Sequence, residues 1–116
     1  PVYDFGTPVL GASATHTFTV SNAGGFVASS IVGGGIAPPF SYTGGAFPGT
    51  TGTCGASLAG GSSCTIQVTY APTVVNVDND TIEIDYYDGV SSQTADRDVT
   101  GTGVLPAQLT ITEASL

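Results

Sequence analysis

The sequence has almost no positive charge. Its 116 residues contain no lysine, and Arg97 is the single basic residue against nine acidic ones, so the formal net charge is −8 at pH 7. The long-range field of such a chain repels the phosphates of nucleic acids and anionic lipid surfaces. We therefore expect neither nucleic acid nor a membrane surface as a partner.

Long apolar runs are also absent. No stretch approaches the ~20 apolar residues that span a bilayer, and the segment that starts at Pro1 lacks the pattern of a signal peptide. We expect no membrane insertion by these residues, and any anchor would lie elsewhere in a longer polypeptide. With 41% hydrophobic residues, the chain has the length and composition of one packed domain.

Helical periodicity is nearly absent, because 17 glycines and seven prolines interrupt most windows long enough for a helix. Alternation with period two predicts strands over residues 14–20, 64–70 and 81–87. The Asp88-Gly89 dipeptide predicts a hairpin into a return strand over residues 94–100.

The region from residue 33 to residue 53 is rich in glycine and proline, which predicts mostly loop with one short strand around residues 40–43. Short strands separated by turn signals are typical of all-β domains. We predict an immunoglobulin-like antiparallel β-sandwich of about seven or eight strands. A small closed barrel is the alternative.

The sequence has two cysteines, Cys54 and Cys64. They are too few for a metal centre, which needs further Cys or His ligands close by, so we predict a disulfide. Disulfides persist in oxidising compartments, which places the chain outside the cytoplasm. The disulfide would close the loop that precedes the strand over residues 64–70.

Four ordered motifs carry a family resemblance: Asp4-Phe5-Gly6, residues 11–24, residues 54–72 and the closing Gly101-Thr102-Gly103. The sequence resembles the choice-of-anchor D repeat, which is similar to the abnormal-spindle and hydin (ASH) immunoglobulin-like domains. The glycine-rich insert before Cys54 and the acidic run after residue 77 depart from that family's pattern.

The resemblance implies a β-sandwich repeated in tandem in large bacterial cell-surface or secreted proteins, where such repeats act as spacers or adhesive stalks. It implies no catalytic residues and makes neighbouring repeats of the same polypeptide the expected partners. Residues 1–104 would form the domain. Residues 105–116 would form a linker and the first strand of a next repeat, with another Asp-Phe-Gly after Leu116.

The acidic run is the strongest candidate for a ligand site. Asp78, Asp80, Asp85 and Asp88 offer the carboxylate oxygens that calcium prefers, although the spacing and glycine of an EF-hand are missing. Such a calcium site would be assembled from a loop at residues 78–80 and the following hairpin. The alternative is a solvated face that protects a sheet edge.

Three aromatic residues lie in or beside the glycine-rich insert: Phe40, Tyr42 and Phe47. They could form a surface that binds a glycan or a surface protein, or they could be buried loop anchors. A ligand-recognition module is thus the alternative to a structural spacer. An enzyme is not expected, because His16, the one histidine, has no marked serine or cysteine nucleophile near it.

Strand parity creates one local conflict. If Val99 faces the core, Arg97 faces inward as well. A β-bulge, or burial at the sheet end in an ion pair with Asp80, Glu83 or Asp96, would resolve the conflict, and a binding role for Arg97 is the alternative.

Reduction of the Cys54–Cys64 disulfide is expected to lower the free energy of unfolding by about 3 kcal/mol, because the bond closes a short loop in the unfolded chain. Thermal melting with and without a reducing agent measures the effect, and a Cys54→Ser/Cys64→Ser double variant is the control for the reagent. Identical melting curves before and after complete reduction would show that the disulfide is incidental to stability.

Overall fold

The structure is a computed structural model that describes residues 1–113. Those residues form seven strands: β1 (Val2–Asp4), β2 (Ala14–Ser21), β3 (Ser29–Gly34), β4 (Phe40–Tyr42), β5 (Ser63–Tyr70), β6 (Asn76–Tyr87) and β7 (Ser92–Gly103). A single 3-10 turn, Thr43–Gly45, follows β4, and no α-helix occurs within residues 1–113.

The strands form two sheets. One has four strands in the order β1-β7-β6-β3, and the other has three in the order β2-β5-β4. The buried side chains of both sheets form one core between them. The predicted immunoglobulin-like sandwich is therefore confirmed, and the alternative of a closed barrel is wrong, because the described strands do not close into one sheet.

Strands β2 and β5 confirm the strongest alternation in the sequence. They pair antiparallel along their full length, with Phe18 opposite Ile66 and His16 opposite Val68. Every second residue of β5 is buried, from Cys64 to Tyr70, while the threonines between them are half-buried. This pattern is expected where one face of a sheet covers the core and the other meets water.

The predicted hairpin is confirmed, and it is longer than its sequence pattern. Strands β6 and β7 contain 12 residues each and pair antiparallel from Asn76 opposite Gly103 to Tyr87 opposite Ser92. The expectation that residues 78–80 form a loop is therefore wrong. Asparagine and aspartate have low strand propensity, but the continuous ladder to β7 supplies their backbone partners.

The first and last strands run in the same direction. Strand β1 pairs parallel with β7, with Val2 opposite Asp98 and Asp4 opposite Thr100. A further parallel bridge joins Val9 to Val104. The N-terminal segment therefore lies along the C-terminal half of β7 and runs in the same direction as that strand.

Tyr70, the last residue of β5, is fully buried in the core at 0% exposed. Its ring stacks on Phe40, with ring centroids 4.7 Å apart, and lies 6.1 Å from the ring centroid of Phe5. On the opposite sheet the ring covers Gly101, where a Cβ atom would lie 2.6 Å from Tyr70 Cδ2. The two sheets therefore contact each other where the Tyr70 ring packs directly on the backbone of Gly101.

The Cys54–Cys64 disulfide is present as predicted. The loop that it closes crosses to the other sheet, because Leu58 and Ala28 exchange two backbone hydrogen bonds of 2.9 Å each. Leu58 is buried and covers one end of the core. A disulfide suggests an oxidising environment. None of the described residues belongs to a helix that could cross a membrane.

The chain after Val104 forms no strand through Glu113. Leu109 is 97% exposed and Ile111 is 101% exposed, so these apolar side chains have no cover from the domain. Residues 114–116, which complete the predicted linker and next strand, lie outside the described residues. That assignment of residues 105–116 stays a prediction.

Gly101→Ala is expected to destabilise the domain by roughly 1–3 kcal/mol, because the new methyl group would overlap the fixed Tyr70 ring. Gly34→Ala is the matched control, since Gly34 also lies in a strand and a Cβ built there has no atom within 4 Å. Urea unfolding of both variants measures the difference. Equal stability of the two variants would contradict the close contact.

Candidate functional site

The predicted carboxylates do not share one face of the hairpin. Asp78 and Asp80 have the same parity as Ile82, which is buried, whereas Asp85 has the opposite parity. Asp78 and Asp85 are also seven positions apart on one strand, which separates them by roughly 23 Å. The carboxylates of the acidic run therefore lie on different faces of the hairpin and far apart along it.

Asp78 and Asp80 each bind another part of the fold. The Tyr70 hydroxyl donates a 2.7 Å hydrogen bond to Asp78, which joins β5 to β6 across the sandwich. The backbone N–H of Ala37 donates a 2.9 Å hydrogen bond to Asp80 and so fixes the loop after β3. Both carboxylates thus have structural partners.

Asp85 and Asp88 have local partners. The Thr94 hydroxyl donates a 2.7 Å hydrogen bond to Asp85 across the β6–β7 hairpin. Asp88 accepts 2.8 Å hydrogen bonds from the backbone N–H groups of Val90 and Ser91, which order the turn. The N–H groups of Ser91 and Val90 lower the pKa of the Asp88 carboxyl below its usual value.

Within residues 1–113, no group of three or more His, Cys, Asp or Glu side chains is placed to hold a metal ion. The four predicted ligands lie apart on β6 and in the turn that follows it. Calcium binding by Asp78, Asp80, Asp85 and Asp88 stays a prediction, and it would require these carboxylates to leave the partners described above.

The three predicted aromatic ligands are core residues. Phe40 and Tyr42 are 1% and 8% exposed, and Phe47 is half-buried against Tyr42, with ring centroids 5.4 Å apart. The Tyr42 hydroxyl donates to the Gly34 carbonyl, and burial raises the Tyr42 pKa. This burial agrees with the alternative interpretation of loop anchors, and ligand binding by these side chains stays a prediction.

His16 and Arg97 both contact an aromatic group that includes Phe18, where His16 is half-buried and Arg97 is exposed. The His16 ring stacks on Tyr3 at 3.9 Å between centroids and meets the edge of Phe18 at 4.8 Å. Arg97 faces the same space, with its guanidinium carbon 5.9 Å from the Phe18 ring centroid. The expected ion pair with Asp80, Glu83 or Asp96 is replaced, within residues 1–113, by this cation–π contact.

An apolar groove between β2 and β7 is the feature that sequence reasoning missed. It consists of two adjoining cavities of about 450 and 240 Å³, which share Val20, Ile84 and Ala95 as lining residues. The groove opens between β2 and the first half of β7, at Ser92–Arg97, beyond the three residues that β1 covers.

One signal in the sequence points to this groove. Strand β2 carries apolar or aromatic residues at every second position but neither an acidic, lysine or arginine residue nor a proline. Edge strands commonly carry such charges or prolines. Because the pattern of one strand does not tell which strands lie beside it, β2 could not be placed at an edge from sequence. Chemically, the groove offers apolar surface flanked by unpaired strand edges.

No family model matches the sequence, and no curated protein sequence matches it. Solved structures do match the fold. The ASH/PapD-like domain 7 of human CEP192 is similar with a TM-score of 0.66 and 13% identity, over 91% of this chain and 82% of that chain.

Two bacterial proteases contain a similar unit. The Vibrio cholerae VesB protease matches with a TM-score of 0.70 and 17% identity over 87% of this chain, and the secreted serine protease VesC from Vibrio cholerae matches with a TM-score of 0.59 and 16% identity over 86%. The chain spans 30% of the VesB structure and 21% of the VesC structure.

These likenesses show an immunoglobulin-like fold of the ASH/PapD-like kind. At such low identity they show the fold alone. The fold suits a structural module as well as a binding module.

Tyr70→Phe is expected to cost about 1.5–3 kcal/mol at neutral pH, because it removes a hydrogen bond to a carboxylate. It is also expected to flatten the alkaline loss of stability. Burial, and then the Asp78 hydrogen bond, raise the Tyr70 pKa. The neutral hydroxyl therefore stabilises the fold fully below the unfolded pKa of about 10, and this contribution is lost as the pH rises above that value.

Urea unfolding between neutral pH and pH of about 11 tests this expectation. Tyr87→Phe, which removes a hydroxyl from an exposed side chain, is the control. A Tyr70→Phe variant with the alkaline slope of the unsubstituted protein would show that this hydroxyl does not carry the pH dependence.

Proposed function

We propose that the chain is a non-catalytic structural module, a spacer or stalk segment, of a larger bacterial protein exposed at the cell surface or secreted. Its task is to hold neighbouring parts of the polypeptide apart along one direction. Neighbouring modules of the same polypeptide are its partners.

The parallel pairing of β1 with β7 carries this proposal. Because both strands run in the same direction, the chain enters β1 beside the middle of β7, at Asp98, and leaves β7 at the end toward which both strands point. The polypeptide therefore continues in the same direction after the module as before it. Antiparallel first and last strands would instead bring the two chain ends to the same end of the domain.

Internal ties support the rigidity that a spacer needs. The Tyr70–Asp78 hydrogen bond links β5 to β6 near the open end of the β6–β7 ladder, and the disulfide loop links the sheets near the opposite end through Leu58 and Ala28. The long β6–β7 hairpin extends beyond the region that β1 covers. Relative sliding of the two sheets would break contacts at two separate places.

The similar structures support a role as one part of a longer chain. In both Vibrio proteases the matching unit is less than a third of the protein, and one of those proteases is described as secreted. The disulfide agrees with export to an oxidising compartment. An extracellular or cell-surface location follows as part of the proposal.

Covalent tandems of one, two and three copies, joined through residues 105–116, test the spacer function. We expect the maximum dimension from small-angle X-ray scattering to grow by roughly 40 Å per copy, the length of a 12-residue strand. A dimension that stays constant while the mass rises would mean that the copies pack side by side, and the spacer function would be rejected.

Calorimetric titration of the same tandems with calcium, and a glycan array, test the alternative of a recognition module. Specific binding in either assay together with compact tandems would favour recognition over spacing. A tandem that lengthens with copy number and binds neither ligand supports the spacer.

A further inference from the structure

Strand β2 is an unusual edge. Four of the described strands lie at sheet edges, namely β1, β3, β2 and β4. Strands β1 and β4 have three residues each, and β3 contains a register shift next to Ser30, whose φ is 52°. Such short or irregular edges resist pairing, whereas β2 has eight regular residues and no charge or proline that would block a further strand.

The groove beside β2 is lined largely by apolar side chains, so it can accommodate apolar side chains of an added strand. Its larger cavity is lined by Val20, Ile31 and Leu58, and its smaller one by Phe18, Ile66 and Ile82. A strand added to β2 would place every second side chain over these residues. The outer edge of β2 would supply the backbone hydrogen bonds.

The tail of the chain has the matching pattern. Leu105, Ala107, Leu109 and Ile111 recur at every second position, with polar residues or proline between them. Leu109 and Ile111 are almost completely exposed, so the domain to which they belong does not cover them. Glu113 continues the face that carries Leu109 and Ile111.

We propose that residues 105–113 of one copy add as a strand to β2 of a second copy and fill its groove. The strand runs antiparallel to β2, with Leu109 in the larger cavity and Ile111 beside Val20. Glu113 then meets Arg97 near Phe18, in the smaller cavity. The partner of this surface is another copy of the same module, bound head to tail.

Charge decides the direction of the added strand. Arg97, the single basic residue, lines the smaller cavity, whereas Asp88 lines the larger one. Antiparallel addition brings Glu113 to Arg97, with Asp96 also at that cavity. The reverse direction would bring Glu113 toward Asp88, where two carboxylates repel each other.

Chain length makes the docking intermolecular. Leu109 lies five positions after Val104, and an extended chain of that length reaches at most about 18 Å. The β7 residue that lines the larger cavity is Ala95, and nine positions of extended chain, about 30 Å, separate Ala95 from Val104. A tail that turned back beside β7 would also meet β1, which already pairs with Asp98–Thr100. The tail of one copy therefore fits only the groove of another in this direction.

This inference deepens the proposed spacer function and rests on it for its biological setting, because it names the surface through which successive modules join. Head-to-tail contacts of this kind are heterologous and extend into a line when they do not close. The docking can be tested apart from the spacer function, because association of separate copies does not depend on the length of a covalent tandem.

Sedimentation velocity of the complete chain tests the docking. We expect the mean mass to rise with concentration toward the millimolar range. The double variant Leu109→Asp/Ile111→Asp should remain monomeric, whereas Thr110→Asp/Thr112→Asp, which changes the opposite face of the tail, should still associate. All four side chains are exposed, so folding should be unaffected, and circular dichroism checks this point.

Charge reversal tests the register. Arg97→Glu alone and Glu113→Arg alone place like charges together at every junction, and each should associate at least about fivefold more weakly than the unsubstituted chain. In an equimolar mixture, every junction between the two different variants pairs opposite charges, so association should recover through alternating copies. A mixture that stays as weak as its components would overturn the proposal, as would a monomeric unsubstituted chain.

The two proposals can fail separately. Tandems that do not lengthen, together with a mixture that recovers association, would reject the spacer and leave the docking intact. Tandems that lengthen, together with a mixture that does not recover, would reject the docking and leave the spacer.

Discussion

The contact of Tyr70 with the opposite sheet is the constraint on which the rest of the structure depends. The ring can lie against β7 only because Gly101 has no side chain, and its hydroxyl then reaches Asp78 on β6. One fully buried residue therefore sets the spacing of the sheets at this point and gives a partner to a half-buried carboxylate. Phe40 stacks on the same ring, so the short strand β4 is positioned by it as well.

Much of this fold could be predicted from sequence, because local pattern and final burial agree. Strands β2 and β5 alternate in the sequence as they alternate in the sheets, and the Asp88-Gly89 turn marks the hairpin. The strand over residues 78–80 was not predicted, since its polar residues have no strand pattern and depend on β7 for backbone partners. In this part of the chain, long-range pairing overrides local propensity.

The candidate sites were less predictable for a related reason. Phe40 and Tyr42 occur in a glycine-rich segment that has the composition of a surface loop, and only their pairing with β5 places them in the core. The groove beside β2 depends on which strand is missing from a sheet edge, and this property belongs to the assembled sheets. The low content of charged residues also leaves β2 without the side chains that usually block an edge.

The parallel arrangement of β1 and β7 also has a mechanical meaning. When a chain is pulled at its two ends, the force on β1 and the force on β7 act in opposite directions along strands that lie side by side. The hydrogen bonds between them, which lie across the strands, are then loaded together in shear and are not opened one after another. A domain connected in this way resists stretching through its first and last strands, before its core is exposed.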